Sequence, residues 1–289
     1  GGTPISPSIS LNGLRTRTLS ENLSQISAPG RKIAYSSIKV KVGHQDIESD
    51  VQSISLVCQE SKWLRPDANR AWSEEEALQF TSIMDDRDSD LKKQIEFIEE
   101  PINKVPGVWS LTKQIQVLES WYKQSGIKYG LDESIVDLVN VHQGDFDQMK
   151  DDLITSFEGV NGCAAFVLKP ALLGLELSMR LSKLAHRELG IGAVFSSSFD
   201  SGVGLSYTAF LAAASNLASG SSPKNLLAHG ISTFSILDGD TLSPSFGSYV
   251  DEQGLLQVVS LSRSFLGLGL DEMRGFLPSE LPEEQLSVG

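Results

Sequence analysis

The feature that most constrains this chain is periodic. Eight short apolar runs recur, and each turns charged or polar toward its C-terminal end. They are SISLNG (8–13), SIKVKVG (37–43), WLRPDAN (63–69), IEFIEEP (95–101), KYGLDES (128–134), AAFVLKP (164–170), AVFSSSFDS (193–201) and LLAHGIST (226–233). From Lys41 to Asp67 is 26 residues, then 32 to Glu99, 33 to Asp132, 37 to Lys169, 27 to Ser196 and 34 to Gly230. A strand, a helix and two loops fill such an interval. Helix-like stretches lie between the runs. SEEEALQFTSIMDD opens with Ser73 and Glu76 at capping-box spacing, and VWSLTKQIQVLESWYKQSG and GLELSMRLSKLAHRELG stop at Gly126 and Gly190. Eight such units predict an α/β fold, a TIM-like (β/α) barrel over residues 1–239, rather than an open sheet. In that fold the active site lies at the C-terminal ends of the strands, where these runs become polar.

Composition removes several alternatives. Lys plus Arg total 24 against 37 Asp plus Glu, a net charge of −13 over 289 residues. Nucleic-acid binding needs the opposite balance, and an anionic membrane surface would repel this chain. No apolar stretch approaches the roughly 20 residues of a membrane span, so a soluble protein is expected. Two cysteines, Cys58 and Cys163, cannot build a disulfide framework or a four-thiolate zinc site, and both read as small buried hydrophobes. The opening GGTP has no charged and apolar leader after it, so the chain reads as a piece of a longer polypeptide with no targeting signal of its own. After the barrel, GSYVDEQGLLQVVSL reads as a hairpin turning near Gly254, within an appendage over 240–276. The acidic, Pro-bearing residues 277–289 read as a linker or disordered tail.

The chemistry concentrates at the run ends. Lys39 and Lys41 are two apart on one strand and so share a face, between Ile38, Val40 and Val42. Inside a barrel the pair would point into the mouth, where each ammonium lowers the other's pKa toward that of a neutral base. Asp67, Glu99 and Asp132 end three successive strands. Three carboxylates converging on one point would repel unless a cation joined them, and hard oxygen donors suit Mg²⁺. Lys169 ends the next strand, across the ring from the lysine pair. Four histidines, His44, His142, His186 and His229, are scattered without metal-ligand spacing and read as packing residues. There is no nucleophile elbow and no dinucleotide fingerprint in a strand-then-helix context.

In order, KVKVG, RPDANRAW, FIEEP, LDES and LKP resemble the enolase superfamily in its muconate-lactonising subgroup. WLRPDANRAW and VFSSSFDSGVGL resemble the o-succinylbenzoate synthases within it, with a likeness to the synthase module of a multifunctional plant enzyme of phylloquinone synthesis. The likeness runs from about residue 8 to 275. It implies Asp67, Glu99 and Asp132 as Mg²⁺ ligands, Glu99 rather than Glu100 being the family's choice. It makes Lys41 the general base, with Lys39 tuning it and Lys169 stabilising the intermediate from the other face. It assigns Asn69, Ser196 and Gly230 to substrate contact, with Arg65 supporting that binding from beside Asp67. The implied reaction is syn-dehydration of 2-succinyl-6-hydroxy-2,4-cyclohexadiene-1-carboxylate to o-succinylbenzoate, in phylloquinone or menaquinone biosynthesis, through a Mg²⁺-stabilised enediolate. It also implies a chloroplast location and, as partner, an α+β capping domain in the longer polypeptide. The tail around Leu255, Leu256, Val258 and Phe265 would pack on that domain and be left exposed without it. N-acylamino-acid racemase or dipeptide epimerase activity, or a catalytically idle barrel in a multidomain chain, are the competing readings.

Overall fold

The computed structural model describes residues 8–15, 33–87, 89–104, 107, 109–220, 226–236, 240, 242, 244–258 and 261. Seven parallel strands pair in chain order: β2 (Asn12–Arg15), β3 (Ser37–Lys41), β4 (Trp63–Asp67), β5 (Ile98–Glu99), β6 (Tyr129–Leu131), β7 (Cys163–Leu168) and β8 (Gly192–Phe195). The last expected run joins the sheet through two residues. His229 pairs with Leu11 and Gly230 pairs with Ser196, both in parallel. Asn12 N–H donates to His229 O at 2.9 Å, and Ser197 N–H donates to Gly230 O at 2.9 Å. This segment therefore bridges β2 and β8 and closes the (β/α) barrel.

Between the strands run helices α1 (Ile47–Val57), α2 (Glu74–Arg87), α3 (Ser89–Gln94), α4 (Leu111–Ser125), α5 (Glu133–Val141), α6 (Phe146–Ser156), α7 (Pro170–Leu173), α8 (Leu175–Leu184) and α9 (Gly202–Ser219). Their ends follow local chemistry. The capping box forms in both directions, with Ser73 N–H donating to Glu76 and Glu76 N–H to Ser73 Oγ. Gly126 takes the left-handed conformation and donates to Tyr122 O, which stops α4. The expected helix ending at Gly190 is α8 followed by a π-helical turn, Ala185–Leu189, with Gly190 again left-handed.

Alternation along β3 sorts its side chains as the pattern requires. Ile38, Val40 and Val42 join the core beneath the helices with Val51 and Ile54 of α1, while Lys39 points into the barrel. A small second cluster, Phe97, Ala165, Val167 and Val194, fills the barrel interior.

Three expectations are corrected here. SISLNG is not one strand: Ser8–Ser10 forms β1, which leaves the barrel and pairs antiparallel with β9 (Leu255–Gln257). That pairing covers part of the tail. Leu256 and Val258 are buried within this chain and Leu255 is half-buried, so they form no exposed patch; Phe265 and residues 277–289 lie outside the described residues. Cys163 is buried as expected, but Cys58 is only half-buried. Among the described residues no helix is long and apolar enough to cross a membrane.

Candidate active site

The parallel register sets the site. Lys39 lies beside Arg65 and Lys41 beside Asp67 on neighbouring strands, and Asp67 beside Glu99. Lys39 Nζ bridges two carboxylates, 2.8 Å from Asp67 Oδ2 and in contact with Glu99 Oε2. Lys41 Nζ donates to Asp67 Oδ2 and to Asn69 Oδ1, each at 2.5 Å. On the far side Lys169 Nζ lies 2.5 Å from Asp132 Oδ2. Asn69 in turn donates through Nδ2 to Glu133 Oε1 at 2.7 Å, so it ties Lys41 to the start of α5.

Electrostatics departs from the expectation of a mutually depressed lysine pair. Burial opposes a charge on Lys39, but Asp67, Glu99 and Asp132 more than offset it and hold the ammonium above the ordinary lysine range. Burial likewise disfavours the charged form of Asp67, yet Lys39 and Lys41 bring its carboxyl down to about 2. At Asp132 burial wins over Lys169 and Lys39, and the carboxyl is pushed up to about 7. Repulsion between two ammonium groups is therefore the smaller effect at Lys39: carboxylates within hydrogen-bond range dominate.

The expected convergence of three carboxylates is met by two. Asp67 and Glu99 meet at Lys39, while Asp132 is held by Lys169. Among the described residues no group of three His, Cys, Asp or Glu side chains stands ready-made for a metal. The donor set nevertheless fits Mg²⁺: three hard carboxylates end adjacent strands, and Oδ1 of Asp132 is buried without a hydrogen-bond partner while Lys169 holds Oδ2. A bound dication would satisfy that free oxygen.

A cavity of about 170 Å³ opens above these groups, lined by Lys39, Lys41, Lys169, Ser196, Gly230 and Thr233. The expected substrate-contact residues Ser196 and Gly230 thus share this cavity with the lysines. Asn69 reaches the lysine pair through Lys41. Arg65 does not line the cavity. It is fully buried below the mouth, donating to Glu96 Oε2 and Ala228 O at 2.6 Å each and stacking 4.8 Å from the Phe97 ring. Its place is the barrel floor, where it joins β4 to the closing segment.

Sequence reasoning passed over Ser197 and Thr233, whose hydroxyls meet at 2.8 Å in the cavity wall. Glu100, passed over in favour of Glu99, pairs with Arg70 through Oε2 and Nε at 2.9 Å. The doublet Glu99–Glu100 was the available sign: alternation must send the two carboxylates to opposite faces.

Residues 22–145 match the family model described as Enolase C-terminal domain-like. In fold the chain is a barrel of the enolase-superfamily type. An o-succinylbenzoate synthase of Salmonella newport (strain SL254) is 33% identical over 187 residues, 64% of this chain and 48% of that protein. The chain thus spans about half the length of the curated relatives it matches. Among solved structures, MenC from Desulfotalea psychrophila LSv54 is similar with a TM-score of 0.60 at 21% identity, covering 87% of this chain and 60% of that one. A dipeptide epimerase from Enterococcus faecalis V583 gives a TM-score of 0.60 at 17% identity, over 87% of this chain and 63% of its own.

Proposed function

We propose that this barrel is the catalytic part of a Mg²⁺-dependent o-succinylbenzoate synthase, a hydro-lyase of phylloquinone or menaquinone synthesis. The observation that carries the reading is the lysine pair of β3 and Lys169 of the opposite strand lining one small cavity, each ammonium paired with Asp67, Glu99 or Asp132. The similarity to a Salmonella o-succinylbenzoate synthase supports the choice of reaction.

In this reading Lys41, as a free amine, takes the proton from the carbon next to the substrate carboxylate. The same ammonium then returns it to the departing hydroxyl on that face, so water leaves and the ring becomes aromatic. Lys39 and Lys169 place positive charge beside the carboxylate as its negative charge grows. Mg²⁺, held by Asp67, Glu99 and Asp132, would supply further positive charge there. Asn69 holds Lys41 in line, and Ser196 and Gly230 line the same cavity. The proposal extends to a plant, chloroplast setting as one module of a multifunctional enzyme, and to an α+β capping domain that closes the mouth.

One observation favours a second reading. Lys41 and Lys169 line opposite sides of the same cavity, as a two-base epimerase or racemase requires. Assaying the full-length protein with the cyclohexadiene substrate and with dipeptides and N-acylamino acids separates the two. Dehydration with little racemisation is expected. Lys41→Ala should cut that turnover by at least the roughly 10²–10⁴-fold that general base catalysis supplies, and a variant with near-normal turnover would refute the assignment.

A further inference from the structure

We propose that Glu100 and Arg70 form a positioning clamp that fixes the turn carrying Asp132, and through it the affinity of the site for a divalent cation. The inference rests on the metal-binding reading above. Glu100 is fully buried. Its Oε1 accepts from the backbone N–H of Asp132 at 2.9 Å and of Ser134 at 2.7 Å. Its Oε2 accepts from Ser134 Oγ at 3.0 Å and from Arg70 Nε at 2.9 Å. Arg70 completes the clamp, donating through Nη2 to Ser134 Oγ at 2.8 Å and through Nη1 to Asp137 Oδ2 at 2.5 Å. Its own N–H donates to Glu100 O at 2.8 Å. One buried ion pair therefore joins the loops that follow β4, β5 and β6.

Two further observations point to a function beyond packing. Oδ1 of Asp132 is buried with no hydrogen-bond partner. Besides the ion pair to Lys169, what aims that carboxylate is its backbone, and Glu100 holds that backbone. The loops are also strained. Asn69, Arg70 and Glu100 all have positive φ, 45°, 61° and 40°, and none is glycine. Each such residue is strained and persists only where its surroundings impose it. All three adjoin the expected ligands Asp67 and Glu99. Groups behind metal ligands typically change metal affinity by roughly 10–100-fold when removed.

The test is titration of the full-length protein with MgCl₂ alone, followed by calorimetry, with melting recorded in parallel. Glu100→Ala should raise the Mg²⁺ dissociation constant roughly 10–100-fold. Glu100→Gln, which keeps an acceptor for the two backbone N–H groups, should raise it less. Asp137→Asn removes the charge of Arg70's outer partner without touching the Asp132 turn and should shift it by less than about twofold. Were Glu100→Ala not to fold, Glu100→Gln and Ser134→Ala would decide. Folded Glu100 variants that bind Mg²⁺ as the parent does, with only their melting lowered, would make the pair purely structural and overturn the clamp. A folded parent protein that binds no Mg²⁺ would instead overturn the metal reading, and the clamp with it.

Discussion

Phe199 is the residue whose backbone and side chain disagree most. Its ring is 64% exposed at the rim of the cavity, yet its φ is +60°. An L side chain in that region costs roughly 1–2 kcal/mol, and so little buried surface here offsets little of it. Phe199→Gly should therefore raise stability by about 1 kcal/mol in denaturant melts. A loss would show that the phenyl packs against something in solution. Much of the site was legible at this scale. Alternation alone puts Lys39 and Lys41 on one face, and strand spacing puts Asp67, Glu99 and Asp132 at one end of the barrel. Their pairing was not legible. Which carboxylate each ammonium takes depends on parallel register between strands, and no local pattern encodes that. Arg65 shows the same limit: sharing a face with Asp67 says nothing of depth, and two residues further down the strand place it on the floor.

At the scale of elements, the motif that follows the lysines shows how backbone geometry serves the site. Gly43 leaves β3 with φ +81°, and its N–H donates to Asp50 Oδ2 at 2.7 Å, which ties the turn to α1. A Cβ there would stand 2.4 Å from the Ala71 Cβ, in the loop beyond Asn69. Gly43→Ala combines a disfavoured φ with a clash against the turn after β4, and should cost about 2–6 kcal/mol in urea unfolding, from roughly 1–3 for each effect. A shift under 0.5 kcal/mol, on the order of a neutral surface change, would show that the two loops move apart freely. Helix ends were readable because caps are local, as Ser73, Glu76 and Gly126 show. Strand limits were less so. β5 keeps only Ile98–Glu99 of its expected seven residues. SISLNG divides at Leu11 because β9, from the far end of the chain, captures Ser8–Ser10. Long-range pairing overrode a run that looked continuous in isolation.

The whole barrel depends on a closing segment that contributes only His229 and Gly230 to the ladder, so the groups that hold it bear on global stability. His229 is fully buried. Its Nδ1 accepts from Phe195 N–H at 3.1 Å, which leaves Nε2 to donate to Asn216 Oδ1 of α9 at 3.3 Å. The bond at Nδ1 requires the neutral ring, since a protonated Nδ1 cannot accept. Burial, then the charges of Arg65 and His186, lower its pKa to about 3. That lies below the roughly 6.5 of an exposed histidine, so the unfolded chain binds a proton the folded one refuses. Stability from this group is complete above about pH 6.5 and drains away as pH falls toward 3. Asp50, whose carboxyl burial pushes up to about 6, acts in the opposite sense between about pH 4 and 6. Comparing two proteins that both keep Asp50 removes its contribution. His229→Gln has no titrating ring at the seam. It should be less stable than the parent at pH 7, by about 1–3 kcal/mol for an imperfectly satisfied buried N–H. Its stability should then fall less steeply from pH 7 to pH 4. Urea unfolding across that range measures both slopes. Parallel slopes would mean that His229 does not resist protonation, and that acid opens the barrel somewhere other than where its first and last strands meet.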